Sequence, residues 1–294
     1  MATLAPAQRA RLGPVGPLVL LAGLVLIVAA PMNYIAQAVW STESGAHGPI
    51  VLFTGAWLVW RLWPAARDVV RPAPAWRVAL ALAVTLPLYI FSRIVQIIEI
   101  QGFLMYAVVL TAVYGLIGGR AMRVLWFPLF YFAFMFPLPD TLVAALTGSL
   151  KMAISHTAVA ILYQFGYPIG GAGVTIQVGQ FELLVAAACS GLNSIVALSA
   201  ISLFYVYLRH QADLRYGLLL MLLILPIAVF ANLIRVLILI LLTYHAGEAV
   251  AQGFVHSFAG LTVFAVALVT IFALDSALEP LWRRFVLKDA HGRA

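Results

Sequence analysis

The one cysteine of this chain, Cys189, lies in Ala186-Ala187-Ala188-Cys189-Ser190-Gly191-Leu192, inside an apolar run. Farther along, Arg235 interrupts Asn232-Leu233-Ile234-Arg235-Val236, and His256 opens His256-Ser257-Phe258-Ala259-Gly260. A thiol, a guanidinium and an imidazole are the parts of an acyl-transfer site. The thiolate attacks a carbonyl, the cation holds the oxyanion and the imidazole moves protons. Each residue also has a plainer reading. A lone apolar-face cysteine serves as a small hydrophobe, and burial makes its thiol inert. Something must then stabilise the thiolate: Arg235, or the dipole of a nearby helix N-terminus. A deep arginine can snorkel to the interface or pair with Glu182, Glu248 or Glu99. An interfacial histidine can be a solvated bystander, and His245 competes for the same role.

Smaller residues complete the constellation. Asn232 precedes Arg235 by three positions and shares its helix face, where it can orient the guanidinium or donate to an oxyanion. Ser190, Gly191 and Ser194 are small enough to let a substrate backbone or another helix approach. Gly260, four residues after His256, leaves room beside the ring. Glu182 is the acidic residue closest before Cys189. Other chemistries find no support. There is no Walker loop, dinucleotide fingerprint or CxxC pair, and no Gly-x-Ser-x-Gly elbow. His156, and His245 with Glu248, lack metal-ligand spacing. No metal or organic cofactor is called for.

The elements that must position these groups are membrane helices. The composition is 64% hydrophobic and 9% charged, against roughly 25% charged in soluble domains. Spans of about 20 apolar residues are expected at 16–36, 49–63, 78–98, 100–117, 124–138, 183–208, 217–243 and 257–276. The expected fold is therefore an all-α polytopic bundle of eight spans over 16–276, with cytoplasmic tails at 1–15 and 277–294. The net charge of +7 reads as topology rather than as a nucleic-acid footprint. All but three of the 17 Lys and Arg (Arg93, Lys151 and Arg235) fall in segments that are cytoplasmic if both termini are inside. Arg93 and Glu99, six apart around the third span, either serve structure or line a cavity.

That topology sends 139–182 outside. Thr141 to Phe165 reads as a helix with Leu142, Leu146, Leu150 and Ile154 on one stripe. It is either an interfacial amphipathic helix or a ninth span. The ninth span would put Arg209 and Arg215 outside, so the interfacial reading is preferred. Gly166 to Phe181 alternates like a strand or hairpin and is expected to form a small outer cap. Cys189 falls about 9 Å, and Arg235 about 12 Å, inside the outer ends of their spans at 1.5 Å per residue. His256 starts the last span on the same side.

The order of cysteine, arginine and histidine on successive helices resembles the exosortase/archaeosortase family of membrane cysteine transpeptidases. The matching text is Val185 to Leu192, Asn232-Leu233-Ile234-Arg235-Val236, and His256 to Gly260, with weaker matches at His47-Gly48 and from Phe127-Pro128 to Pro139. The chain departs from the family where an acidic residue commonly precedes Cys-Ser-Gly and Ala187-Ala188 stand instead. It departs again at Asn193, where an arginine is common. The resemblance implies a Cys189 nucleophile, an essential Arg235 and a catalytic His256. It implies substrates that are membrane-anchored secreted proteins, with a C-terminal signal of short motif, transmembrane helix and basic tail. It also implies a bacterial inner-membrane location with the site facing outward. Two other classes fit the residues without the resemblance: a transporter or channel using Arg235 for an anion, and an acyltransferase carrying a fatty acyl group on Cys189.

Overall fold

The computed structural model describes residues 15–42, 45, 47–173, 175–184, 193–209, 214–252 and 254–291. Ten α-helices and one small sheet are found among them. Helix α1 (Val15–Tyr34) continues through a π turn, Ile35–Val39. Helices α2 (Gly48–Arg67), α3 (Ala75–Val95) and α4 (Ile98–Val124) follow. Pro49 sits in the first turn of α2, where its missing N–H leaves no bond unmade. The chain turns between α3 and α4 at Gln96, which adopts a left-handed conformation (φ 61°, ψ 31°). Arg93 and Glu99 therefore belong to different helices, on either side of that turn.

Helix α4 is broken at Gly118, with φ 73° and ψ 171°. The break admits the α2–α3 connection. Arg71 N–H donates to the Ile117 carbonyl at 3.1 Å, and Ala73 N–H to the Gly115 carbonyl at 3.2 Å. A Cβ at position 118 would stand 1.8 Å from the Arg71 carbonyl oxygen, so only glycine fits.

The expected fifth span, 124–138, is not one helix. It is α5 (Trp126–Tyr131), a 3-10 turn (Phe132–Met135) and an extended exit at Phe136. Aromatic packing holds this short crossing. Phe127 stacks on Tyr207 with centroids 3.6 Å apart, and Tyr131 faces Phe204 at 5.8 Å. Both partners lie on α7 (Asn193–Arg209), which therefore runs antiparallel to α5.

Helix α6 (Asp140–Gln164) takes the place of the expected interfacial helix. It does not lie flat across the bundle end. Its Leu150, Ala153, Ile154 and Thr157 line a groove with Leu225, Pro226, Val229, Phe230 and Leu233 of α8 (Leu214–Ala246). Just past its end, Tyr167 touches Tyr244 and His245. The two helices thus run side by side in the same direction, and of the expected stripe Leu150 and Ile154 line the groove while Leu142 is exposed.

The sheet has order β1-β2-β3, all antiparallel: β1 (Ile169–Ala172), β2 (Thr175–Val178) and β3 (Phe181–Leu184). Buried Ile176, Val178 and Leu183 pack in one cluster with Ile154, Ala158 and Leu162 of α6 and Val236 and Ile240 of α8. Strand β3 corrects the expected sixth span. Residues 183 and 184 are strand, and the next described element is the helix Asn193–Arg209.

Helices α9 (Glu248–Gln252) and α10 (Phe254–His291) close the chain. The last helix does not stop near residue 276 but continues through Pro280 to His291. Among the described residues, five helices are long and apolar enough to cross a membrane: Leu18–Val39, Ala75–Val95, Ile98–Val124, Arg215–Ala246 and Ala265–Arg284. Two shorter apolar helices, Trp126–Met135 and Val196–Arg209, join them. Lipid tails are as apolar as the helix faces, so close approach and interhelical hydrogen bonds, not water exclusion, hold such a bundle together.

Candidate active site

The site is built on the second half of α8. Ile224, Ile227, Ala228 and Ala231 of α8 pack in one cluster with Leu198 of α7 and Ala267 and Ile271 of α10. The alanines let the three helices approach closely. Arg235 follows Ala228 by seven residues, which is close to two full turns. It therefore continues the face of α8 that meets α7 and α10. Asn232 lies next to it on the same side. Both are buried, at 1% exposure for Asn232 and 2% for Arg235. Arg235 is among the largest fully buried side chains described, and it sits about 17 Å from the end of α8 at 1.5 Å per residue.

Arg235 stands near the height of Asn193 on α7 and of Gly260 on α10. From the shared cluster, α7 extends five residues back to Asn193, roughly 8 Å. On α10, seven residues lead back from Ala267 to Gly260, roughly 10 Å, which matches the rise from Ala228 to Arg235. His256 lies about one turn beyond Gly260, in the first turns of α10. Ser194 is in the first turn of α7. Cys189, Ser190 and Gly191 lie outside the described residues.

Two competing assignments are clarified. Glu182 is exposed on β3, opposite Gln177. Its neighbour Leu183 is the residue that packs beside Val236, and strand alternation turns Glu182 the other way. Glu182 thus sits on the outer face of the sheet rather than beside the guanidinium. His245 is engaged elsewhere: its Nε2 is 3.2 Å from the Tyr167 hydroxyl, and its ring meets Tyr167 and Tyr244 edge-on.

A groove of about 440 Å3 runs between α6 and α8, ending at Leu233, next to Asn232. Its lining is apolar apart from Thr157. Sequence reasoning gave His47-Gly48 only as a weaker match to the family and did not foresee its packing role. His47 is 7% exposed, and its Nε2 lies 2.9 Å from the Phe134 carbonyl oxygen, which ties the start of α2 to the end of the short crossing. Next to it, a Cβ on Gly48 would collide with the Trp40 ring. The pair His47-Gly48 is a packing requirement that its spacing alone could not reveal.

The apolar helices and the buried arginine define a multi-pass helical membrane protein with a polar centre in its last helices. The model of the transmembrane exosortase family matches residues 39–273, and the chain belongs to that family. No curated protein and no solved structure matches the chain.

Proposed function

We propose that the protein is a cysteine protease or transpeptidase of the bacterial inner membrane, with both termini cytoplasmic and its site facing outward. Its substrates are secreted proteins that carry a C-terminal sorting signal: a short Pro-Glu-Pro-like motif, a transmembrane helix and a basic tail. Family membership over a stretch that includes Cys189, Arg235 and His256 carries this reading. The burial of Arg235, at about the height of Asn193 on α7 and Gly260 on α10, supports it.

In this mechanism the Cys189 thiolate attacks the scissile carbonyl and a C–S bond forms. Arg235 offers its N–H groups to the oxyanion of the tetrahedral intermediate, and Asn232 orients it. The intermediate collapses, the C–N bond breaks and His256 gives its proton to the leaving amine. His256 then takes a proton from water or from an envelope amine as that nucleophile attacks the thioester and releases Cys189. The substrate helix lies in the apolar groove between α6 and α8, which leads its peptide bond toward Asn232. Ser190, Gly191, Ser194 and Gly260 keep the approach open.

The test is to co-express the protein with a substrate bearing such a signal and to follow cleavage on a gel. Cys189→Ala and Cys189→Ser both abolish processing while the proteins accumulate normally in the membrane. Normal processing by Cys189→Ala ends this reading. Mass spectrometry of Cys189 trapped with substrate yields a peptide adduct; a fatty-acyl adduct would instead identify an acyltransferase.

A further inference from the structure

A second polar site lies at the junction of α1, α3 and α4, away from Arg235. A cavity of about 180 Å3 is lined by Ala30, Pro31, Tyr34 and Ile35 of the first helix and by Arg93, Gln96, Ile98 and Gln101 around the α3–α4 turn. Arg93 is held in place. Its Nη1 donates to the Tyr89 hydroxyl at 3.2 Å, and Tyr89, 3% exposed, donates in turn to the Ile27 carbonyl at 3.0 Å. Among the described residues, no carboxylate lies within 4.0 Å of the Arg93 guanidinium. Gln96 is the one non-glycine residue with positive φ among those described. Glycine is the usual occupant of that position after a helix; here Gln96 and Arg93 are both exposed at the mouth of the cavity. The Gln96 amide donates to the Arg93 carbonyl at 2.9 Å, which fixes the turn.

Ile98 opens α4, and the first N–H groups of a helix have no partner within it and favour an anion. An orientated guanidinium, two carboxamides and a helix start thus surround one cavity. Its other wall is the apolar surface of α1. We propose that this cavity binds the phosphate of an anionic phospholipid, with the acyl chains lying along α1 and α3. The arginine fork suits a phosphodiester in two-pronged contact, and the apolar wall suits the chains of the same molecule. Glu99, in the first turn of α4, does not line the cavity.

The test uses the full chain purified in a mild detergent and read by native mass spectrometry, with added phosphatidylglycerol, phosphatidylcholine or inorganic phosphate. The wild type retains phosphatidylglycerol in preference to phosphatidylcholine, and millimolar inorganic phosphate does not displace it. Arg93→Gln lowers the retained fraction about tenfold, and Arg93→Lys, which keeps the charge but loses the fork, retains an intermediate fraction. Equal retention by Arg93→Gln and wild type overturns the site. Displacement by inorganic phosphate also overturns it, because it identifies a simple anion site. If Arg93→Gln does not accumulate as folded protein, Gln101→Leu carries the comparison: a several-fold loss supports the site and unchanged retention overturns it.

Discussion

In the proposed mechanism, Arg235 is the residue on which the chemistry turns. A guanidinium keeps its charge in almost any surroundings, so its burial has to be met by polar neighbours or used for function. Its position on the α7/α10-facing side of α8 follows from helical spacing: seven residues from Ala228 return it to the same face. A lysine in its place keeps the charge but loses the planar fork that can hold a substrate carbonyl oxygen in two-pronged contact. Arg235→Lys is therefore expected to lower cleavage at least about a hundredfold, within the range seen when one oxyanion donor is removed, while membrane accumulation is unaffected. Rates from a time course with the signal-bearing substrate decide this. Turnover within a few-fold of wild type would falsify the oxyanion role and leave Arg235 as a structural cation.

At the scale of elements, what was legible in the sequence depended on length. Helices α3, α4 and α8 carry long apolar runs, and their expected positions agree with the structure to within a few residues. Short elements misled. The 124–138 segment has the composition of a span, but Pro128 and the aromatics pack it as a brief helix and a 3-10 turn. Thr141 to Phe165 shows the same i, i+4 stripe whether a helix lies on a lipid surface or against a neighbour, and periodicity cannot tell the two apart. The strand alternation of 174–178 was visible, but β3 was absorbed into a helix because Leu183 and Leu184 continue into an apolar run. In the site, the shared face of Asn232 and Arg235 was readable from spacing. The tie of His47 to Phe134 joins distant parts of the chain and was not.

The break in α4 was equally invisible, because Gly118-Gly119 in the sequence does not say which glycine bends. The structure makes the two distinct. Gly118 has positive φ and almost touches the Arg71 carbonyl, whereas a Cβ on Gly119 meets only a Tyr114 ring atom at 3.5 Å. Gly118→Ala combines backbone strain of about 1–3 kcal/mol with displacement of the α2–α3 connection. Thermal unfolding in detergent is expected to fall for Gly118→Ala and to stay near wild type for Gly119→Ala. Equal midpoints for the two variants would contradict the break.

At the scale of the whole molecule, α7, α8 and α10 are tied at the end opposite Arg235. Asp275 is 2% exposed and accepts hydrogen bonds from the Tyr205 hydroxyl at 2.5 Å and the Tyr216 hydroxyl at 2.8 Å. Arg209 Nε stands 3.8 Å from the same carboxylate, and Arg209 and Arg283 both reach Glu279. One carboxylate thus joins three helices, at the end of α7, the start of α8 and the middle of the apolar stretch of α10. Because the helices are stiff, fixing them at this end also fixes the heights of Asn193, Arg235 and Gly260 at the other. Asp275→Ala takes the carboxylate from both tyrosine hydroxyls and leaves Tyr216 only the residue-275 backbone carbonyl at 3.2 Å, and a buried polar group left unsatisfied costs about 1–3 kcal/mol. Tyr205→Phe removes one bond and leaves Tyr216 in place, so its effect is expected to be the smaller. Unfolding midpoints in detergent should rank wild type above Tyr205→Phe and Tyr205→Phe above Asp275→Ala. If the proposed activity holds, both variants still cleave substrate at temperatures well below their midpoints, since neither residue belongs to the proposed reacting set. A midpoint for Asp275→Ala equal to that of wild type would show that the three helices are held together by apolar packing alone.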